Sequence, residues 1–258
     1  MNRNTLRQAV NVVAVIATLM VNGLASALPL NGLTTGEISD RFQVYFVPAG
    51  YVFSIWGVIY LGLILFAIYQ ALPAQRDNPR LARVGYLFVL SCVANTAWLF
   101  LWHYEQFAWT ILAMLTLLGS LIAIYLRLGI GRAAVAPAER WLVRAPFSIY
   151  LGWITVATIA NATSLLDYLG WGGWGLDDAL WAVIMLAAGV AIAAAVRFTR
   201  RDAAYVLVLV WAFAGIAVKH AAAPLVATAA WVSAGLLIGL LVGVAVLGRR
   251  SWKQLPTN

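Results

Sequence analysis

Eight stretches of this chain stay apolar for about as long as the hydrocarbon of a bilayer is thick, with short polar segments between them. A spanning helix needs about 20 mainly apolar residues, and the candidates are 9–30, 51–72, 85–103, 109–126, 147–167, 180–196, 203–222 and 227–247. Only 10% of the 258 residues are charged, against about 25% in an ordinary soluble domain. A water-soluble fold is therefore excluded, and little chain remains for a separate soluble domain. The expected fold is an all-α polytopic membrane helix bundle of about eight spans, with the lipid bilayer as its first partner.

A formal net charge of +8 invites a nucleic-acid reading, but the placement of the charges explains it better. With the N-terminus inside, fifteen of the seventeen Lys and Arg fall on one side: Arg3, Arg7, Arg76, Arg80, Arg83, Arg127, Arg132, Arg140, Arg144, Arg197, Arg200, Arg201, Arg249, Arg250 and Lys253. Only Arg41 and Lys219 fall on the other side, which also holds Glu37, Asp40, Glu105, Asp167, Asp177 and Asp178. In short loops such asymmetry sets orientation, so both termini are expected in the cytoplasm. Adding or dropping an internal span would mix basic and non-basic loops. The expected setting is a bacterial cytoplasmic membrane, with no nucleic-acid partner.

Arg3, Arg7, the apolar run behind them and Ala25-Ser26-Ala27 also fit a cleavable signal peptide, although that run continues to Leu30 and is long enough to span. The single cysteine, Cys92, lies inside a span, which excludes an internal disulfide and any multi-cysteine metal site. One loop is long: residues 31–50 on the outer side can fold back over the mouth of the bundle, or form a solvated linker. Phe42, Val44, Tyr45, Phe46 and Val47 make it apolar for a linker. Near the C-terminus Gly235, Gly239 and Gly243 recur every four residues, a face on which another helix backbone can approach closely. The partner is either internal or a second subunit, giving a homo-oligomer.

No phosphate-binding loop, zinc-protease helix, nucleophile elbow or dinucleotide fingerprint is present, and no carboxylate sits deep in a span. Instead, aromatic and amide side chains recur at helical spacing. Phe53, Trp56 and Tyr60 share a face of the second span; Asn95, Trp98 and Trp102 share one on the third; Trp153, Ala157 and Asn161 share one on the fifth. Trp commonly marks the membrane interface and Asn commonly joins helices. Trp109, Trp141, Trp171, Trp174, Trp181, Trp231 and Trp252 fit the first description, at or near span ends, whereas Trp153 lies at mid-membrane depth. Lys219 and His220 suggest a retinal Schiff base or a haem ligand, but Lys219 lies close enough to the outer end to snorkel to water.

These stripes resemble the TspO/translocator family of tryptophan-rich sensory proteins. The family's second helix opens Pro-Pro-x-Trp-Val-Phe-Gly-Pro-Val-Trp-x-x-x-Tyr; here Pro48, Trp56 and Tyr60 keep the spacing, while Tyr51-Val52-Phe53 is displaced by one position. Asn95-Thr96-Ala97-Trp98 matches the third-helix motif. Tyr150, Leu151, Trp153, Ala157 and Asn161 match the fifth, with Ile149 where the family has proline. The resemblance covers about residues 9–167. It implies a five-helix core over 1–168 that binds porphyrins, sterols or drug-like ligands, followed by a three-helix extension over 169–258. It further implies a ligand site formed by Tyr51, Phe53, Trp56, Tyr60, Asn95, Trp98, Tyr150, Trp153, Ala157 and Asn161. The expected function is a receptor or carrier for a flat hydrophobic ligand, with porphyrin or haem as ligand and no metal or cofactor required. A secondary transporter of small hydrophobic molecules and a porphyrin-degrading enzyme are the alternatives.

Overall fold

The computed structural model describes residues 2–28 and 30–252, without the side chains of Ser26, Ala245 and 247–252. Lys253, and the side chains of Arg249 and Arg250, thus lie outside what is described. All regular structure among the described residues is helical. Eight long helices appear where the apolar stretches predict them. They are α1 (Arg3–Ala27), α3 (Ile55–Ala71), α5 (Leu87–His103), α6 (Phe107–Arg127), α8 (Ala145–Tyr168), α9 (Asp178–Arg200), α10 (Ala203–Lys219) and α11 (Pro224–Trp252). Three short helices lie between them: α2 (Thr35–Ser39), α4 (Pro79–Val84) and α7 (Pro137–Glu139). Six of the long helices are apolar over at least 18 residues, while α5 and α10 have 17 each, the lower end of what can span.

Local chemistry sets several boundaries. Asn78 caps α4 and Asp177 caps α9, each side chain accepting from a backbone N–H of the first turn that the helix itself leaves unpaired. Between α7 and α8 the chain makes a π-helical turn, Arg140–Arg144, in which the N–H of Ala145 donates to Arg140 O. Pro146 has no N–H to give to the preceding turn, so the α-helical ladder cannot run through this point.

Helix α8 is the hub, packing against α3, α6 and α10. Around it α1 touches α3 and α5, and α5 lies along α6. On the far side α10 joins α8 to α9 and α11. A single hydrophobic cluster runs from Val15 in α1 to Leu237 in α11. Two glycines permit the close approaches on α8. A Cβ on Gly152 would stand 3.0 Å from the Tyr205 carbonyl oxygen, and one on Gly62 of α3 would stand 3.0 Å from the Pro146 Cβ. By contrast, among the described residues nothing beyond the helix's own backbone lies within 4 Å of where a Cβ would stand on Gly235, Gly239 or Gly243. No described residue packs on their face at those positions.

The predicted charge segregation has a spatial counterpart. At one end Arg7 donates to Arg76 O, Arg127 donates to Arg83 O, and Arg80 forms a two-pronged bond to the buried carboxylate of Glu139 at 2.7 and 2.8 Å. At the other end Arg41 pairs with Glu105, Lys219 with Asp40, and the Gln43 N–H donates to Asp167. The basic loops meet one another at one end of the bundle and the acidic loops at the other, the separation that the charge bias along the chain leads one to expect.

Gly152→Val should lower the thermal midpoint of the detergent-solubilised protein, at an overpacking cost of about 1–3 kcal/mol. Gly239→Val should leave it unchanged in the monomer. Melting both variants checks the contrast.

Candidate functional site

The three aromatic stripes converge toward the outer end. Trp153 of α8 is buried, with the ring of Phe53 edge-on at 5.7 Å and that of Trp56 at 6.1 Å. Trp56 in turn stacks on Tyr60 and meets Tyr150 edge-on. From α5, Trp98 stacks on Trp102 at 5.4 Å and 20°. Between these groups lies a cavity of about 60 Å³, lined by Phe53, Trp56, Asn95, Trp98, Trp102, Trp153, Ala157 and Asn161. Met114 and Leu117 of α6 add to the wall, and Ala160 and Ser164 extend the α8 stripe. The cavity has room for a handful of water-sized groups.

Polar atoms decide what this cavity can hold. Asn161 donates to Thr110 Oγ1 at 2.9 Å, which leaves its Oδ1 buried with no hydrogen-bond partner among the described residues. The indole N–H groups of Trp98 and Trp153 are likewise buried and unpartnered. Two donors and one acceptor on side chains that line a largely apolar chamber thus stand buried and unpaired among the described residues, where an unmade hydrogen bond costs about 1–3 kcal/mol. Asn95 differs: its Oδ1 accepts from Asn22, whose own Oδ1 accepts from Tyr60 OH, so this chain joins α5, α1 and α3 at 2.8 Å per link.

The long loop closes the outer end. Thr35, Ser39, Val47 and Pro48 line the cavity, and Ile38, Phe46 and Val47 are buried. A capping box holds α2: Thr34 Oγ1 accepts from the Glu37 N–H and the Glu37 carboxylate accepts from the Thr34 N–H. The Thr34 backbone bond, then the hydroxyl bond, lowers the pKa of Glu37. This contribution is present above the ordinary carboxylate range and is lost as pH falls through the lowered value. Trp102 Nε1 donates to Thr35 O at 3.2 Å, and His103 bridges Thr35 Oγ1 and Leu30 O, each at 3.0 Å. Downstream, Ala49 N–H donates to Gly215 O and Val47 O faces His220 Nε2 at 3.2 Å. Lys219 pairs with Asp40 across this seam and His220 with the loop backbone.

Of the ten residues predicted from sequence, seven line the cavity: Phe53, Trp56, Asn95, Trp98, Trp153, Ala157 and Asn161. Tyr60 and Tyr150 stand behind Trp56. Tyr51 is 49% exposed and packs edge-on against Trp211. It points away because Gly50–Ser54 forms a 3-10 turn ahead of α3, which breaks the helical spacing that places Tyr51 beside the later aromatics. Trp102, Thr35, Ser39, Met114, Leu117, Ala160 and Ser164 were missed as site residues. The periodicity of α8 carried to i+7 and i+11 from Trp153 reaches Ala160 and Ser164, and Trp102 lies on the third-span stripe; the length and apolar content of residues 31–50 point to the loop without singling out Thr35 or Ser39, and the α6 contribution leaves no sequence signal.

An eight-helix membrane bundle with an aromatic chamber beneath an outer loop defines the class. A family model described as TSPO-like protein matches residues 8–243, and the chain belongs to that family. The match continues past the three motif-bearing helices, α3, α5 and α8, into α11. No curated protein and no solved structure matches the chain.

Exposed ion pairs contribute up to about 1 kcal/mol each. Replacing Arg41 and Lys219 together with Met should therefore raise amide exchange across residues 34–47 by roughly fivefold per lost pair, with no change in α9. Hydrogen-exchange mass spectrometry on both proteins reads this.

Proposed function

We propose that the protein is a receptor or carrier, in a bacterial cytoplasmic membrane, for a flat hydrophobic ligand of the porphyrin class held in the outer aromatic chamber. The unpaired Trp98 and Trp153 N–H groups and Asn161 Oδ1, set among ring faces, carry this reading. Apolar walls with a few convergent polar groups suit a ligand that is mostly hydrocarbon and carries a small number of acceptors and donors. Ring faces stack on a planar macrocycle, and indole N–H groups bond to its carboxylate or carbonyl oxygens. At about 60 Å³ the closed chamber is far smaller than the roughly 300–1,000 Å³ of a drug-sized site. Binding therefore requires the rings and residues 31–50 to move apart, and the ion pairs of Asp40 and Arg41 oppose that movement.

Titration of the purified protein with protoporphyrin, followed by tryptophan quenching, is the test. Saturable quenching is expected. Trp153→Ala should weaken affinity about fivefold, corresponding to about 1 kcal/mol for a lost ring contact. Asn161→Ala should weaken it too and also lower the thermal midpoint, because Thr110 loses a partner. Trp231→Ala, on the exposed face of α11, should change neither. Absence of saturable quenching, or equal affinities in all variants, overturns the assignment. A homo-oligomer through Gly235, Gly239 and Gly243 belongs to the same proposal; Gly239→Val should then shift the light-scattering mass toward the monomer.

A further inference from the structure

A second and larger cavity, of about 1070 Å³, opens near the basic end between α3, α8 and α10. Its walls are apolar: Val58 of α3, Ile149 of α8 and Leu207 of α10 line it, and Val58 and Leu207 are also more than half exposed. Its mouth is lined by Arg132, Arg140, Arg200 and Arg201. Arg132, Arg140 and Arg201 make no side-chain hydrogen bond or ion pair to any described residue, and Arg200 only lies over the Tyr125 ring. Arg144, deeper in, is already committed to the carbonyls of Leu128 and Ala133. The one acid in the lining is Asp202. Its oxygens accept from Tyr125 OH and the Tyr205 N–H, and no ion pair joins it to an arginine among the described residues.

The shape limits the occupant. The top is closed where Trp211 Nε1 donates to Val52 O at 3.1 Å and Tyr51 packs on the Trp211 ring. From Arg201 to Trp211 is ten residues, roughly 15 Å at the helical rise. That is half of the roughly 30 Å hydrocarbon thickness, or one leaflet. Trp141, 67% exposed beside Arg140, has the character of an interfacial anchor. Arg201 also holds a left-handed backbone, φ 54°, at the end of α9, where glycine is the usual residue. A guanidinium stands at the mouth despite that strain.

We infer that this groove is a binding site for one anionic phospholipid of the cytoplasmic leaflet, its phosphate against Arg132, Arg140 and Arg201 and its acyl chains between α3 and α10. Charge complementarity selects the headgroup, and the single-leaflet depth selects a lipid over a soluble anion. The cytoplasmic leaflet supplies anionic lipids, and each basic residue near them contributes about fivefold in affinity, the equivalent of about 1 kcal/mol.

The full-length protein in nonionic detergent is titrated with phosphatidylglycerol and with phosphatidylcholine carrying the same fluorescent acyl chain, and anisotropy is read. Phosphatidylglycerol should bind saturably and about tenfold more tightly or better. Arg140→Ala and Arg201→Ala should each weaken it about fivefold, while Arg76→Ala, basic and at the same end but outside the groove, should not. Leu207→Trp, which fills the groove from its exposed wall, should weaken it with the arginines intact. Thermal melts establish that each variant is folded. Equal binding of the two lipids overturns the inference. So does an Arg76→Ala loss as large as that of Arg201→Ala, which would mean general attraction to a basic surface. Displacement of the bound lipid by millimolar inorganic phosphate would mean a free-anion site and overturns it as well.

Discussion

Hydrocarbon provides no partner for a polar group, so every N–H and C=O in a span must be paired within the protein. Helices satisfy the backbone along their length, and side chains have to be settled one at a time. In this bundle Thr18, Ser91, Thr110, Ser120, Thr155 and Thr158 return their hydroxyls to their own helices. Gln8 and Gln70 bond across to each other's segments, and Asn22 ties Asn95 to Tyr60. Six buried side-chain atoms have no partner among the described residues, and three of them, the indole N–H groups of Trp98 and Trp153 and the Asn161 oxygen, belong to residues that line the same chamber.

The outer chamber and the inner groove lie along the same helix. Helix α8 presents Trp153, Ala157 and Asn161 to the first and Ser148 and Ile149 to the second. The π turn at its base and the Gly152 contact with Tyr205 set how α8 meets α10. The two cavities differ in chemistry because the two ends of the bundle differ in charge. At the chamber end Arg41 and Lys219 are each paired with an acid, whereas Arg132, Arg140 and Arg201 line the groove without one among the described residues.

The connection between α1 and α3 links them mechanically. Residues 31–50 cover the chamber, and the same segment runs into Val52, whose carbonyl accepts from Trp211 at the top of the groove. Gly215 has no side chain where Val52 and Pro48 press on α10. The segment that covers the chamber and the contact at the top of the groove are thus continuous in the chain.

The number of long helices, the gathering of arginines at one end and the apolar character of the bundle were legible in the chain, because hydropathy over about 20 residues and the bias of arginine between loops act locally and add along the sequence. The stripes on α3, α5 and α8 were legible for a similar reason: helical periodicity places Trp56 with Tyr60, Asn95 with Trp98, and Trp153 with Asn161 whatever the rest of the fold does. Which stripe faces which was decided only in three dimensions. Asn95 spends its oxygen on Asn22 of α1, a residue 73 positions away, and Tyr51 turns out toward Trp211 because the chain enters α3 through a 3-10 turn. The meeting of Arg132, Arg140 and Arg201 at one groove mouth likewise depends on how three separate loops pack. No local pattern encodes it, since each of those arginines reads in sequence as one more positive charge on the inner side.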